Sequence, residues 1–360
     1  MPARRVRSLP FAVVVVLVTT FFSFGTGSPA GAAVGPSRPS LTGELLYVAN
    51  ADAGPVTAYA SASAGRVTPA RLVVDPGVVG TAWAPWGVAF DAARNLYVQT
   101  FSSDATTFVF PARAGASTRP SRIFRVNGPG SRAIAVDAAG FAYVATGQGG
   151  TEIDVAAPRA AGSPGNDFTV PPVRQISTDE SAYSPWPGGL TIGPPGQVIA
   201  AVLRGTGNAL EVFAGGAAGP ATPLRVIAGP HTGLGSCAGY GACDQVSLTY
   251  SPLTGRIYAA VTQAEQTHIS VFAGDASGDA APLRTIAGPA TSLAGKVITG
   301  IADSQLDGTI YAMVKSAEFD SPGVVTSFDR LAAGNAAPRR TFTDATTGFR
   351  NAGGIALTTG

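Results

Sequence analysis

The sequence predicts an all-β fold, a ring of six four-stranded sheets called a six-bladed β-propeller, and three observations support this. Glycine (46 residues) and proline (28 residues) make up about a fifth of the 360-residue chain, a composition that suits many short strands joined by turns. A unit of roughly 50 residues recurs six times along the chain. Each unit contains four short strand-like runs, the number found in a propeller blade.

The overall composition excludes two broad classes of protein. Hydrophobic residues make up 45% of the chain and charged residues 13%, whereas disordered chains combine low hydrophobicity with high charge. Basic residues number 24 and acidic residues 22. This balance provides no strong positive field, so we expect no nucleic-acid partner.

The N-terminus has the pattern of an export signal. Arg4, Arg5 and Arg7 precede an apolar run from Phe11 to Phe24, and small residues follow at 30–33. This predicts a signal peptide over residues 1–32, cleaved at Ala32 or Ala33. The alternative is a membrane anchor, but the run is shorter than the ~20 residues that a bilayer requires.

The same pattern predicts the domain organisation and the location of the product. Residues 33–43 are expected to form a flexible linker and residues 44–360 the propeller. No second apolar run has spanning length, so we expect no membrane insertion after cleavage. The mature protein is predicted to be secreted, either free or associated with the cell wall.

The repeats are most evident from Val212 to Pro230, which matches Val271 to Pro289 at 14 of 19 positions. The Pro-x-Arg tail of this segment recurs six times, at spacings of 51 to 59 residues. Proline and charge are residues that blunt an exposed sheet edge. We therefore expect each Pro-x-Arg to open the exposed outer strand of a blade. The six pairs are Pro69/Arg71, Pro120/Arg122, Pro172/Arg174, Pro223/Arg225, Pro282/Arg284 and Pro338/Arg340.

The four strands of a unit are clearest in the fifth repeat. They are predicted at Ser247 to Tyr250, Arg256 to Val261, His268 to Phe272 and Leu283 to Ile286. The first strand of each unit is rich in small residues, which suits an inner strand crowded around a central channel. The second strands share an apolar-Tyr-apolar or related pattern. Examples of the two patterns are Gly87-Val88-Ala89-Phe90-Asp91 and Leu96-Tyr97-Val98.

The two ends of the repeat region are incomplete in complementary ways. Leu46-Tyr47-Val48 reads as a second strand, but no inner strand precedes it. The segment from Gly354 to Thr358 reads as an inner strand, but nothing follows it. The C-terminal strand is therefore predicted to complete the N-terminal blade and to close the ring, which removes a sheet edge.

These repeats resemble the NHL-repeat propellers and the related SMP-30/gluconolactonase-like group. The resemblance rests on an inner strand, an Asp, a turn and then Leu/Ile-Tyr-Val, followed by Val-Phe-Ala, and it covers roughly residues 44–360. It implies a six-bladed propeller and much less about activity, because one fold hosts many functions.

The same resemblance allows two family activities to be compared with the residues present. Gluconolactonase-like members hold a divalent metal with Glu, Asn and Asp around the channel, whereas the inner strands here open with Trp86, Arg132, Gly188 and Val297. Amidating-lyase-like members use several histidines on zinc, and this chain has two histidines. We therefore expect no metal, no other cofactor and no catalytic residue.

Differences between the repeats indicate where a ligand would bind. The connections from one blade to the next vary more than the connections within blades, and loops on a rigid scaffold often carry binding residues. Exposed aromatic side chains suit contacts with sugars and peptides. For the tryptophans, packing between blades is the alternative. The candidate ligand-binding residues are Trp83, Trp86, Tyr183, Trp186, His231, Tyr240 and His268.

The two histidines are predicted to lie on one face of the ring, in neighbouring loops. With Asp244 and Glu265 close in the sequence, they could form a metal or acid–base site. The alternative is that His231 and His268 are independent surface residues.

The chain has two cysteines, Cys237 and Cys243. In an exported protein such a pair is most simply a disulfide. The residues from Gly235 to Gly239 also match a nucleophile elbow with cysteine in place of serine. That motif requires the strand-to-helix turn of an α/β sheet, which the predicted fold does not contain.

These observations favour a secreted, monomeric, non-catalytic binding or scaffold module. Its partner is expected to be an extracellular protein, peptide or glycan, bound on the face that bears the blade-to-blade loops. The alternative function is an extracellular hydrolase, lactonase-like, or a lyase, with a small site at the channel mouth.

Overall fold

The computed structural model describes residues 43–51, 54–79, 83–101, 106–126, 133–146, 152–163, 168–177, 189–204, 207–236, 245–262, 266–318 and 321–359. The predicted signal peptide lies outside these residues. No helix among the described residues is long and apolar enough to cross a membrane.

The described residues form six antiparallel sheets, which we number as blades 1 to 6. From the channel outward, the strands of blade 1 are Ala352–Thr359, Glu44–Asn50, Val56–Ala60 and Arg71–Val74. The strands of blade 2, in the same order, are Pro85–Phe90, Leu96–Thr100, Thr106–Phe110 and Arg122–Arg125. The strands of blade 3 are Ile134–Val136, Ala142–Thr146, Glu152–Ala156 and Arg174–Ser177.

The second half of the ring repeats this arrangement. The strands of blade 4 are Leu190–Ile192, Val198–Arg204, Gly207–Phe213 and Arg225–Ile227. The strands of blade 5 are Gln245–Ser251, Arg256–Thr262, His268–Ala273 and Arg284–Ile286. The strands of blade 6 are Val297–Asp303, Ile310–Lys315, Gly323–Phe328 and Arg340–Asp344. Two short strands (Gly65–Val67 and Gly219–Pro220), a four-residue helix (Pro76–Val79) and a 3-10 turn (Pro289–Thr291) lie outside these four-strand units. The predicted propeller is confirmed.

The C-terminal strand completes the first blade, as the sequence predicts. Ala352–Thr359 pairs with Glu44–Asn50, with Leu357 opposite Leu46 and Ile355 opposite Val48. The inner strand of blade 1 therefore comes from the opposite end of the chain to its other three strands. This pairing closes the ring.

The hydrophobic core lies between the blades. Six clusters of buried side chains occur among the described residues, and each combines residues of two neighbouring blades. The cluster between blades 6 and 1, for example, packs Met313 and Val325 against Leu46 and Tyr59. Every blade is thus held by the blade on either side, which explains why the same strand pattern must recur.

Because the strands alternate in direction, the connections divide between two faces. The linker face carries the blade-to-blade linkers, such as 287–296, and the side of each blade where the second strand ends and the third begins. The connection face carries the turns from inner to second strands and the connections from third to outer strands, such as 252–255 and 274–283.

The outer strands are not left exposed, which corrects the reason given for the Pro-x-Arg motif. The third-to-outer connection of each blade lies along the outer strand of the preceding blade. Gly65–Val67 of blade 1 pairs in parallel with blade 6, and Gly278 of blade 5 pairs with Ile227 of blade 4. The neighbouring blade therefore covers the edge that proline and charge were expected to protect.

In four of the six motifs the arginine has a different role, because its guanidinium donates to a backbone carbonyl oxygen of the next blade. Arg174 donates from Nη1 to the carbonyl oxygen of Gly215 at 2.6 Å and from Nη2 to the Tyr143 hydroxyl at 3.1 Å. Tyr143 in turn lies 3.1 Å from Asp137. Arg122 makes the corresponding contacts with Ala160 and Tyr97.

Candidate functional site

The linker face is the predicted ligand face, and two of its linkers share one geometry. In the linker that leads into blade 5, Thr232 Oγ1 donates to the carbonyl oxygen of Gly229 at 2.8 Å. In the next linker Thr291 makes the same bond to Gly288 at 2.6 Å. The leucines that follow, Leu234 and Leu293, are both buried. These two linkers therefore share their first turn, although they differ in length.

His231 stands out from this shared geometry because the equivalent residue of the next linker is Ala290. The His231 side chain is 75% exposed, and its Nδ1 lies 2.6 Å from Asp279 Oδ2. The backbone N–H of His231 also donates to Asp279 Oδ1 at 2.8 Å. Because an ionised carboxylate only accepts hydrogen bonds, Nδ1 carries a proton. The pairing orients the ring and leaves Nε2 without a role in this contact.

Asp279 is well suited to hold this histidine. The hydrogen bond from the His231 side chain lowers the pKa of Asp279 below its usual value, so the carboxylate is ionised at neutral pH. Asp279 reaches the linker because its segment runs along the outer strand of blade 4, where Gly278 pairs with Ile227. The loop covering that edge thus carries the partner of His231.

The side chain of His268 contacts the backbone of the same linker. It is 8% exposed, with Nε2 2.8 Å from the carbonyl oxygen of Gly233 and Nδ1 2.7 Å from that of Gln266. The structure therefore brings the linker of His231 into contact with His268, but the two rings have different environments. Both polar atoms of the His268 ring lie against backbone carbonyl groups. The sequence-predicted neighbours Asp244 and Glu265 lie outside the described residues.

Trp83 is a packing residue, which corrects the expectation that it presents its ring to a ligand. The side chain is 2% exposed, and Nε1 donates to the carbonyl oxygen of Gly54 at 2.7 Å. Its ring lies edge-on to Phe108 and Phe110. Trp83 therefore fills the junction between blades 1 and 2 and ties a linker to a turn of blade 1.

Trp86 is half-buried and lies beside Phe101, with the ring centroids 5.8 Å apart. The backbone of the C-terminal inner strand packs closely on it, since a Cβ built on Gly353 would lie 2.7 Å from the Trp86 carbonyl oxygen. Trp86 thus contributes to the contact between blades 1 and 2 and keeps part of its ring accessible. The other predicted residues lie outside the described ranges, and their roles stay predictions: Tyr183, Trp186, Tyr240, Cys237 and Cys243.

The central channel contains a second candidate site, a cavity of about 320 Å³ bounded by the inner strands. Most of the residues that line it have apolar side chains, and Asp303 is the one carboxylate among them. Strand register places Asp303 where the other inner strands carry apolar or aromatic side chains. These equivalents are Phe90, Val136, Ile192, Tyr250 and Leu357.

Asp303 is buried and held by several donors. Thr249 donates to Oδ1 at 3.2 Å, and Gln305 Nε2 donates to Oδ2 at 2.8 Å. Burial raises the pKa of Asp303, although the hydrogen bonds from Ser251, Thr249 and Gln305 oppose this effect. The backbone N–H of Gln305 donates to Glu44 Oε1 at 3.1 Å, and burial also raises the pKa of Glu44.

We expect the Asp303→Asn variant to be more stable than the wild type at pH 7, with a Tm higher by about 2 °C. The raised pKa means that the folded protein binds more protons than the unfolded chain above about pH 3.9, the unfolded value. The free energy of unfolding therefore falls as the pH rises through this region. The gain in Asp303→Asn should vanish below pH 4, as measured by thermal unfolding across pH.

Asp307→Asn provides a matched control with the opposite sign. Burial raises the pKa of Asp307, but hydrogen bonds with Thr309 and Ser304 outweigh this and lower it. This variant should lose stability at pH 7. Equal behaviour of the two variants would show that the environment of Asp303 has been misread.

Among the described side chains, no three His, Cys, Asp or Glu groups converge in a way that could hold a metal ion. The arrangement instead offers one oriented imidazole on the linker face and one buried carboxylate in the channel.

Comparison with known proteins identifies the fold. No protein-family model matches the sequence, and no curated protein matches it. A solved chain from a nidogen/laminin complex is similar with a TM-score of 0.56 and 15% identity, over 88% of this chain and 98% of that one. A protein of unknown function from Bacteroides caccae has a TM-score of 0.55 and 10% identity, over 88% and 99%. The periplasmic gluconolactonase of Pseudomonas aeruginosa has a TM-score of 0.53 and 13% identity, over 83% and 82%.

These similarities support the propeller architecture that the repeats indicated. Since the identities are 15% or lower, they show the fold alone. The activity has to be argued from the residues.

Two features of the site were missed by sequence reasoning. Asp303 was visible as the end of an inner strand, but its isolation among apolar equivalents requires the strand register. The Asp279–His231 pair joins residues 48 positions apart, close to one repeat length. Comparing equivalent positions in adjacent repeats would have identified His231 against Ala290.

Proposed function

We propose that this chain is an exported, monomeric, non-catalytic binding propeller that takes an extracellular protein, peptide or glycan on the linker face. The observation that carries the proposal is the His231–Asp279 pair. The exposed imidazole of His231 is oriented by the Asp279 carboxylate. Hydrogen bonds of the His268 and Thr232 side chains to backbone carbonyl groups hold the same linker in place. A fixed loop with an exposed, oriented polar group loses little conformational entropy when it binds a ligand.

The similarity to a chain solved in a nidogen/laminin complex is consistent with this proposal, because it gives a propeller of similar architecture in a protein complex. It does not identify a partner for this chain. The choice of ligand class rests on the predicted export, and the choice of face rests on His231.

The experiment compares the wild type with His231→Ala on a glycan array containing cell-wall fragments and on a peptide library. The variant should lose about tenfold or more in affinity for any ligand that the wild type selects, since a central contact contributes about 2 kcal/mol. Its Tm should be unchanged within about 2 °C, because Ala290 occupies the equivalent position and an exposed ion pair contributes little to stability.

Ala290→His in the His231→Ala background is the matched control. It places an imidazole on the neighbouring linker, where Asn335 replaces Asp279 as the contact to the backbone. This variant should not recover binding. Unchanged binding by His231→Ala would show that the ligand surface lies elsewhere.

A second candidate function, a lactone hydrolase with its site in the channel, is supported by Asp303. A buried carboxylate with a raised pKa in a small cavity is a feature of many acid–base sites. One solved neighbour is a periplasmic gluconolactonase. Hydrolysis of glucono-1,5-lactone that Asp303→Asn abolishes would favour the hydrolase, and a protein inactive with lactones would favour the binding module.

We further propose that residues 1–32 direct export and that Cys237 and Cys243 form a disulfide. Support comes from the charged and apolar N-terminal pattern and from the spacing of the only two cysteines. Mature protein isolated outside the cell should begin at Ala33 or Val34 and contain no titratable thiol. Two reactive thiols without reduction would exclude the disulfide.

A further inference from the structure

A second cavity of about 320 Å³ lies on the connection face, between blades 5 and 6. Three of the six side chains that line it are arginines, and none is acidic. Two of the others are exposed leucines. The lining residues are Leu253, Thr254, Arg256, Arg284, Arg330 and Leu331.

Arg284 is the arginine of the Pro-x-Arg motif of blade 5. Its Nη2 donates to the backbone carbonyl oxygen of Arg330 in blade 6, as Arg225 donates to that of Gly274. The Arg284 guanidinium therefore makes the same blade-to-blade contact as the motif arginine of blade 4. Its Nε is buried and has no hydrogen-bond partner, a feature that Arg225 shares.

Arg256 is the residue that makes this junction different. Arg256 begins the second strand of blade 5, and strand register aligns it with positions at which three other blades carry a group that partners an arginine. Gln197 accepts from Arg225 at 3.2 Å, and Thr309 accepts from Arg339 at 3.3 Å. Phe141 lies under the guanidinium of Arg174, 5.2 Å from it. In blade 5 a second cation replaces the acceptor.

The third arginine comes from the neighbouring blade. Blade 5 presents the carbonyl oxygen of Gly274 to Arg225, and blade 6 presents that of Arg330 at the corresponding position beside Arg284. Asp329 precedes Arg330 in the sequence, but its carboxylate pairs with Arg339, with Nη1 and Oδ2 3.6 Å apart. Three arginine residues therefore line one cavity, and no carboxylate is among the residues that line it.

We propose that this cavity binds a phosphate or sulfate monoester. Guanidinium groups match the geometry of tetrahedral oxyanions and bind them through paired N–H donors. An anion would also relieve the repulsion among three cations that share one cavity. Leu253 is 47% exposed and Leu331 69% exposed, and both line the cavity. They provide an apolar contact for the organic group of the ester. This site is separate from the linker face and does not depend on the proposed function.

The test is isothermal titration of the full mature chain with inorganic phosphate, inorganic sulfate and butyl phosphate at constant ionic strength. The wild type should bind butyl phosphate more tightly than either inorganic ion. Arg256→Gln and Arg330→Gln should each weaken butyl phosphate binding by about tenfold or more, as expected for the loss of a charge-assisted contact. Arg256→Gln reproduces the residue found at 197 in blade 4, so the fold should be retained.

Arg119→Gln is the charge-matched control, because Arg119 is exposed in the third-to-outer connection of blade 2. It should bind like the wild type. Leu331→Ala should weaken butyl phosphate binding alone. The proposal is overturned if no probe binds, or if Arg256→Gln and Arg119→Gln have equal effects. Equal affinities for butyl phosphate and inorganic phosphate would overturn the apolar part.

Discussion

Deletion of residues 353–360 is expected to lower the Tm by about 10 °C or to abolish cooperative folding. The deletion removes most of the inner strand of blade 1, including Ile355 and Leu357, which pair with Val48 and Leu46. Burial of each aliphatic side chain contributes about 2 kcal/mol, and the edge of the strand Glu44–Asn50 loses its pairing partner as well. Thermal and urea unfolding of the truncated chain, with Gly360 deletion as control, measures the effect.

A point substitution tests the same closure without shortening the chain. A Cβ at Gly300, in the inner strand of blade 6, would lie 2.8 Å from the backbone nitrogen of Ile355. Gly300→Val should therefore displace the C-terminal strand and reduce the Tm in the same direction. If both variants melt within a few degrees of the full chain, the C-terminal strand does not carry the stability assigned to it.

Trp83→Ala is expected to reduce the free energy of unfolding by about 3–5 kcal/mol, the usual cost of removing a buried tryptophan. The substitution leaves a cavity beside Phe108 and Phe110 and removes the hydrogen bond to Gly54. Because this residue ties a linker to a neighbouring turn, the loss should appear in equilibrium urea unfolding rather than only in ligand binding.

Two variants separate packing from the hydrogen bond. Trp83→Phe keeps an aromatic ring and should cost less than Trp83→Ala, with the lost hydrogen bond contributing about 1 kcal/mol. Trp86→Ala removes a ring that is half-buried and should also cost less. Equal stability of Trp83→Ala and the wild type would contradict the packing role of Trp83 and would favour a surface position available to ligands.

The sequence by itself determined the architecture of this protein. The six Pro-x-Arg motifs set the number of blades, and the apolar-Tyr-apolar strands set the order within each blade. The unmatched segments Leu46 to Val48 and Gly354 to Thr358 predicted how the ring closes. These signals are local, because alternation along a strand and the spacing of turns can be read within one repeat.

The tertiary structure alone decided which side chains meet across the junctions between blades. A local pattern indicates that a side chain faces the next blade, but it does not identify the residue opposite. His231 and Asp279 are 48 positions apart, Arg284 and Arg330 are 46 apart, and Tyr59 and Asp344 are 285 apart. Burial of Trp83, orientation of His231 and convergence of three arginines all arise from such contacts, since packing brings together residues that lie tens to hundreds of positions apart in the sequence.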